Sequence, residues 1–217
     1  MVGVVLLGFW PSYFGRLLRG DIARPLVIQI HGLVFIGWMA LLVMQVVLAW
    51  RGRVKAHRRV GNWGIAYGIL VLVMGVVAGI AAPVMHVHAG EWTRDRAAGF
   101  LLIPLGDMVL FGSLFGAAVA YRRKPETHKR LMVGATVALL FAAVGRIPGL
   151  DQAIPALLAI WLSPMLIGVA YDWKTRGRPH QAYVISALWL FVGALRVTLL
   201  ESEVWLRTGR AILDAFA

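Results

Sequence analysis

Four ionisable side chains lie inside the most apolar stretches of this sequence. They are His31, Asp107, Arg146 and Arg196. At the centre of a membrane-spanning helix a charged residue costs about 2.5 to 3.5 kcal/mol on insertion scales, so such residues are candidates for function. A lone carboxylate near the middle of a membrane is either protonated or paired. We therefore expect Asp107 to pair with Arg146 or Arg196.

Polar residues also recur at a spacing that returns to one side of a helix. Positions seven apart do so, which groups His31, Trp38 and Gln45 in one stripe and Trp189, Arg196 and Glu203 in another. Polar side chains are unfavourable in contact with lipid, so we expect both stripes to face the bundle interior or a water-filled cavity. The predicted ligand site, in the outer half of the membrane, consists of His31, Trp38, Gln45, Asp107, Arg146 and Arg196. The alternative is that Asp107 and its arginines form a buried network that fixes helix order and binds nothing.

A second candidate chemistry is metal or haem binding. The segment MHVHAGEW holds His86 and His88 on the same predicted side of the membrane as His31. Neutral imidazoles suit zinc, copper or haem iron, and Glu91 or Asp107 could complete such a site. His-x-His is also frequent in polar loops that bind nothing. The absence of cysteine excludes disulfides, thiolate metal sites, iron–sulfur clusters and covalently attached haem.

A basic segment containing histidine occurs three times. AWRGRVKAHRR (49–59) aligns without a gap with AYRRKPETHKR (120–130), and AYDWKTRGRPH (170–180) fits the same pattern with two extra residues. The predicted interfacial residues at these segments are His57, Arg58, Arg59, His128, Lys129, Arg130 and His180. The three histidines either meet around a pseudo-threefold centre or sit at helix starts, where they bond lipid phosphates or loop carbonyls.

These segments separate apolar stretches that must be membrane helices. The 217 residues are 60% hydrophobic and 15% charged, with a mean hydropathy of +0.76, far from the usual balance of a soluble protein. Stretches of about 20 apolar residues are long enough to span a bilayer. We predict an all-α transmembrane bundle, one domain over 1–217, with three tandem hairpins after a short N-terminal helix. The predicted helices are about 1–14, 25–50, 60–85, 98–121, 129–149, 153–172 and 181–206, with an amphipathic end over 201–217.

The distribution of positive charge predicts an orientation. The segments 51–59, 122–130 and 172–180 hold 13 of the 22 Lys and Arg residues and all four lysines. By the positive-inside rule these loops are expected to be cytoplasmic in a multi-pass membrane protein. The net charge of +12 therefore reflects lipid contact, and no nucleic acid partner is expected.

Several enzyme and receptor classes are excluded by the sequence. No lysine lies in an apolar span, as a retinal Schiff base requires, and HExxH, Walker and GxSxG motifs are absent. No loop is long enough for a soluble catalytic domain. Whether the chain catalyses a reaction stays open.

Seven segments carry a resemblance over nearly the whole chain. They are FWPSYF, HGLVFIGWMALLVMQ, GRVKAHRRVG, FLLIPLGDMVLFG, HKRLM, GRIP and RGRPH. This ordered set resembles a family of bacterial multi-pass membrane proteins of unknown function. The resemblance implies the same helix count and makes His31, His57, Asp107, His128, Arg146, His180 and Arg196 motif positions, but it implies no activity. The histidine–basic pairs are also loosely similar to b-type cytochromes, without their paired haem ligands on facing helices.

Three functions follow as hypotheses. The first is binding of an anionic or lipophilic ligand, such as a lipid, quinone or pigment, at the outer-half site. The second is membership of a larger membrane complex as a non-catalytic subunit, with glycine faces and nine tryptophans making contacts. The third is a small redox protein that holds haem or a divalent metal at His31, His86 and His88.

Overall fold

A computed structural model describes residues 1–20, 25–150 and 152–216. Within these ranges the chain is helical and contains no β-strand. It begins with α1 (Val2–Phe9), a π-helical turn (Trp10–Phe14) and α2 (Gly15–Leu18). Then follow α3 (Leu26–Trp50), α4 (Val54–His88), α5 (Arg94–Phe100), α6 (Leu102–Ala120), α7 (Pro125–Val144), α8 (Ile154–Arg176) and α9 (Gln181–Ala194). A 3-10 turn (Leu195–Leu199) and α10 (Glu203–Phe216) complete the described chain.

Six helical stretches in the described ranges are long and apolar enough to cross a membrane. The helices α3, α4, α7 and α8 each supply one, α5 with α6 supply Arg94–Ala120, and α9 with the 3-10 turn supplies Gln181–Leu199. A shorter apolar stretch, Val2–Leu18, precedes them. The predicted all-α transmembrane bundle is confirmed by these elements.

At two of the helix boundaries that differ from the sequence prediction, a glycine lies where the helix begins or ends. Gly52 adopts a left-handed φ of 68°, which ends the α3 turn and lets α4 begin at Val54, inside the basic segment. At the other boundary α7 ends at Val144 with Gly145 as its C-cap, and Pro148 and the left-handed Gly149 follow, neither of which continues a helix. His57 is therefore on the first turn of α4, and Arg146 lies beyond the end of α7.

The predicted helix over 181–206 is wrong in its second half. The α-helix ends at Ala194 and tightens into the 3-10 turn before α10 begins at Glu203. Arg196 donates from Nη1 to the carbonyl of Gly193 (2.6 Å), which in a continuing α-helix would accept from the amide of residue 197. The predicted stripe of Trp189, Arg196 and Glu203 required one uninterrupted helix, so it does not exist.

The chain divides into two compact units. Unit 1 comprises Met1–Ala23 and Leu102–Ser202, and unit 2 comprises Arg24–Leu101 and Glu203–Ala217. In unit 1, α7 is the most buried span, and α1, α6, α8 and α9 all pack against it. Small residues allow this close approach. Gly8 of α1 lies against the backbone of Ala143, and Gly134 lies against Ser186 of α9.

Unit 2 consists of the α3–α4 hairpin with α5 and α10. Tyr67 of α4 donates its hydroxyl to the carbonyl of Val34 (3.0 Å), which joins the two helices of the hairpin. The amphipathic α10 packs on α5 through Gly209, which lies directly on the backbone of Ala98. Trp205 donates from its indole nitrogen to the same residue's carbonyl (2.9 Å).

Candidate functional site

Asp107 and Arg196 form a buried ion pair within unit 1. Asp107 is the central residue of the apolar span Arg94–Ala120, thirteen residues from each end, and its exposed fraction is 4%. Arg196 is 8% exposed and donates from Nη2 to Oδ1 of Asp107. The predicted pairing of Asp107 with an arginine is confirmed. It brings the middle of α6 together with the 3-10 turn that follows α9.

The arginine of this pair is tightly enclosed but incompletely hydrogen-bonded. Its guanidinium carbon lies 5.0 Å from the ring centroid of Phe141 on α7. A Cβ added to Gly106 would overlap the Cδ and Nε atoms of Arg196, so only glycine leaves room for this side chain. Nη1 and Nη2 each have an acceptor, whereas the buried Nε has none in the described part of the chain. A buried donor without a partner is rare and calls for an explanation.

Arg146 adds a second positive charge near this pair. It is exposed, it donates from Nη1 to the carbonyl of Ala142 (2.6 Å), and its guanidinium lies 5.0 Å from the ring centroid of Phe9. It also acts electrostatically on Asp107. The three charged side chains therefore carry a net charge of +1. We call Asp107, Arg146 and Arg196 the Asp107 cluster.

The other three residues of the predicted ligand site lie on α3 in unit 2. Trp38 is buried, and the ring of His31 lies 4.2 Å from that of Phe35. The Gln45 side chain, in the amide orientation that satisfies both of its groups, donates to Nδ1 of His57 (2.8 Å) and accepts from the amide of Gly61 (2.8 Å). Gln45 is thus occupied by the α3–α4 hairpin.

The predicted metal ligands are not gathered into a metal site. Among the described residues, no group of three or more His, Asp or Glu side chains is arranged to hold a metal ion. His86 instead bonds the carboxylate of Glu91 and stacks on Trp92, with ring centroids 4.4 Å apart. His88 lines a cavity of about 140 Å³ together with Val84, Val87, Arg94 and Leu213.

The histidines of the three basic segments each act within their own hairpin. His57 reaches back to Gln45 on α3, and Nδ1 of His128 lies 2.8 Å from the carbonyl of Ala118 on α6. His180 is the N-cap of α9, and its Nδ1 accepts from the amide of Ala182 (3.1 Å). His128 thus meets a helix carbonyl and His180 a backbone amide, whereas the predicted partners were lipid phosphates or loop carbonyls.

Arg130, predicted as an interfacial residue for lipid headgroups, is instead 3% exposed. It donates from Nε to Oδ2 of Asp172 (2.8 Å) and from Nη2 to Oδ1, while Nη1 donates to the Glu126 carboxylate (2.7 Å). Asp172, 1% exposed, also accepts from the amide of His180 (3.0 Å). The ring of Tyr183 lies 5.3 Å from the guanidinium. We call Arg130, Asp172, Glu126 and His180 the Asp172 cluster.

Sequence reasoning missed this cluster, although two signals were present. Glu126 and Arg130 are four residues apart, the spacing of an ion pair on one helix face. Asp172 is the only acidic residue between positions 152 and 200, in a segment otherwise rich in positive charge. Both signals were overlooked because the segments 120–130 and 170–180 were interpreted as lipid-facing loops.

The Asp172 cluster also affects the titration of His180. Burial, together with the nearby guanidinium groups of Arg130 and Arg176, lowers the pKa of His180. A neutral imidazole is what the capping bond requires, because Nδ1 must accept from Ala182. The positive charges near His180 and its capping bond to α9 therefore both favour the neutral imidazole.

Comparisons with known proteins found no match to a family model, a curated protein or a solved structure. The two clusters themselves are therefore the guide to function. Of these, only the Asp107 cluster combines a buried, unsatisfied donor with an exposed positive charge.

Proposed function

We propose that this integral membrane protein binds an anionic, lipophilic ligand at the Asp107 cluster. The observation that carries the proposal is the buried guanidinium of Arg196, which holds Asp107 but leaves its Nε without an acceptor. A buried guanidinium with an unsatisfied donor is costly inside a membrane-spanning protein, so residues of this kind are candidates for function. A ligand acceptor that approaches Arg196 would supply the missing bond.

The charge of the cluster selects the ligand's head group. Arg196 keeps an Nε–H without an acceptor in the described part of the chain, and Arg146 is a second guanidinium that acts on Asp107. A carboxylate or phosphate is the natural acceptor for guanidinium donors, because both can take parallel hydrogen bonds. Arg146, which is exposed, would meet such a group before Arg196 does.

The surroundings of the cluster select the rest of the ligand. Phe9 and Phe141 flank the two guanidinium groups, and neither offers a polar group. An amphiphile with an acidic head group and a hydrocarbon body satisfies both conditions. A neutral quinone or pigment satisfies only the second, so an acidic lipid is the preferred class.

Identification of the small molecules bound to the purified protein tests this proposal. The full chain is purified in mild detergent, and bound small molecules are extracted and identified by mass spectrometry. We expect an acidic lipid at stoichiometric amounts in the parent and in the control Arg207→Gln, whose side chain is 77% exposed on α10. Arg146→Gln and the double variant Asp107→Asn/Arg196→Gln should lose it. Equal amounts in the double variant and the parent would contradict the proposal.

The alternative function, a subunit of a larger membrane complex, is favoured by one observation. The apolar helix α3 buries only Val34 and Trp38 of its 25 residues. Such a helix contacts either lipid or another membrane protein. Gentle solubilisation followed by native electrophoresis distinguishes them, because a stable partner would co-migrate with the chain.

The orientation proposed from the basic segments places 51–59, 122–130 and 172–180 in the cytoplasm of a bacterial inner membrane, against anionic lipid. Single cysteines can be introduced into this cysteine-free chain at the exposed positions Lys55 and Arg178, and at Ala89 on the opposite end of α4. An impermeant thiol reagent added to intact cells should label only Ala89→Cys. Labelling of Lys55→Cys and Arg178→Cys instead would reverse the orientation.

A further inference from the structure

We infer that binding of an acidic ligand at the Asp107 cluster takes up one proton, which Asp107 binds as Arg196 turns from Asp107 to the ligand. This inference rests on the proposed function and concerns how ligand binding is coupled to proton uptake. If correct, the site binds an anion together with a proton. The ligand affinity of such a protein depends on pH even when the ligand itself does not change its charge.

The charge state of Asp107 depends on the groups around it. Its described hydrogen-bond donor is Arg196, on the 3-10 turn after α9. The other charged group that acts on it is Arg146, beyond the end of α7. Between Arg130 and Arg146 the sequence of α7 has no ionisable residue, and α1 has no ionisable side chain. The state of Asp107 thus depends on these two arginines.

An acidic ligand must compete with Asp107 for the donors of Arg196. The guanidinium already uses Nη2 for Asp107 and Nη1 for Gly193, and only Nε remains. A carboxylate or phosphate that binds side-on needs two adjacent donors, Nε and one Nη. In a planar guanidinium the Nε–H shares its edge with Nη2, the nitrogen that donates to Asp107, so the second donor must come from the bond to Asp107.

The carboxylate of Asp107 loses its partner when Arg196 binds the ligand. An unpaired, buried carboxylate in the middle of a membrane span costs several kcal/mol, and such groups bind a proton instead. Before binding, the cluster carries one negative and two positive charges. After binding, Asp107 is neutral and the ligand supplies the negative charge, so the net charge of +1 is unchanged. The proton comes from the acid form of the buffer, whose conjugate base remains in solution, and the O–H bond of Asp107 is the one covalent bond that forms in the protein.

Decanesulfonate is a suitable probe because its head group stays anionic at all pH values used. Any proton taken up therefore belongs to the protein. The full chain in detergent is titrated with it by calorimetry in two buffers of different ionisation enthalpy. We expect about one proton per ligand, and an affinity that falls about tenfold between pH 7 and 8. The control Arg207→Gln should behave as the parent does.

The variant Asp107→Asn separates the two proposals. It removes the proton acceptor and frees Arg196, so decanesulfonate should still bind, with no proton uptake and with an affinity independent of pH. Should this variant fail to fold, Arg146→Gln provides the second measurement: weaker binding with one proton still taken up. Stoichiometric binding to the parent without proton uptake would overturn this inference and leave the proposed function standing. Absence of binding to the parent would overturn both.

Discussion

Unit 1 contains two buried aspartate–arginine pairs of the same chemical type and opposite character. Arg130 uses all three of its nitrogens on acceptors, and its partner Asp172 accepts from three donors. Arg196 leaves one nitrogen unused, and Asp107 accepts from Arg196 alone among the described hydrogen bonds. A buried pair whose hydrogen bonds are complete has no capacity for a ligand and serves architecture. An incomplete pair retains that capacity. The completeness of hydrogen bonding, rather than the presence of charge, therefore distinguishes a structural pair from a candidate site.

The largest effect should come from breaking the saturated pair. Arg130→Gln leaves Asp172 buried without its bidentate partner, and removing one member of a buried pair costs about 3 to 5 kcal/mol. We expect a large fall in the thermal unfolding temperature of the detergent-purified protein, followed by tryptophan fluorescence. The double variant Arg130→Gln/Asp172→Asn should recover part of the loss. Strictly additive losses would show that the pair is not a coupled structural element.

The incomplete pair should show a smaller coupling. Asp107→Asn and Arg196→Gln should each destabilise the protein, and the double variant should lose less than their sum by about 1 to 3 kcal/mol. The same unfolding measurement yields this double-mutant cycle. A coupling energy as large as that of Arg130 with Asp172 would remove the proposed distinction between the clusters.

Glycine substitutions on α6 sharpen the comparison at the level of packing. Gly106→Ala places a methyl group against the Cδ and Nε atoms of Arg196 and should cost about 1 to 3 kcal/mol, as overpacking does. Gly116→Ala, on the same helix, meets no atom within 4 Å and is the matched control. It should be neutral or slightly stabilising, because alanine is the better helix former. Equal effects of the two variants would show that Arg196 is not held by this contact.

The smallest effect is a pH dependence confined to the Asp172 cluster. Because the folded-state pKa of His180 is lowered, the unfolded chain binds the proton more readily. The contribution of the neutral cap is complete above the ordinary pKa of about 6.5 and is lost as pH falls through the lower folded value. His180→Asn keeps a capping side chain without a titrating group. Its unfolding temperature should decline less than the parent's between about pH 7 and 5, by the equivalent of about 1 kcal/mol.

The sequence predicted the two features that depend on composition and single residues. Long apolar stretches gave the six spans, and charge inside them singled out Asp107 and Arg196. The Asp172 cluster was missed because its members lie in basic segments, where composition suggests exposure. Burial of Arg130 depends on α7, α8 and α9 meeting at one end, which no local pattern records. The break after Ala194 was missed for a similar reason, because it accompanies a side-chain contact across unit 1.

The packing of α10 on α5 has a consequence for how the protein is made. The indole of Trp205 reaches the carbonyl of Ala98, 107 residues earlier in the chain, and Gly209 covers the same backbone. During synthesis the N-terminal part of unit 2 therefore emerges and inserts long before the segment that completes it. Until Glu203–Phe216 has left the ribosome, the face of α5 that carries Ala98 is open to whatever chaperone or insertion factor is nearby. Unit 2 is therefore completed only after the whole of Leu102–Ser202 has been translated between its two parts.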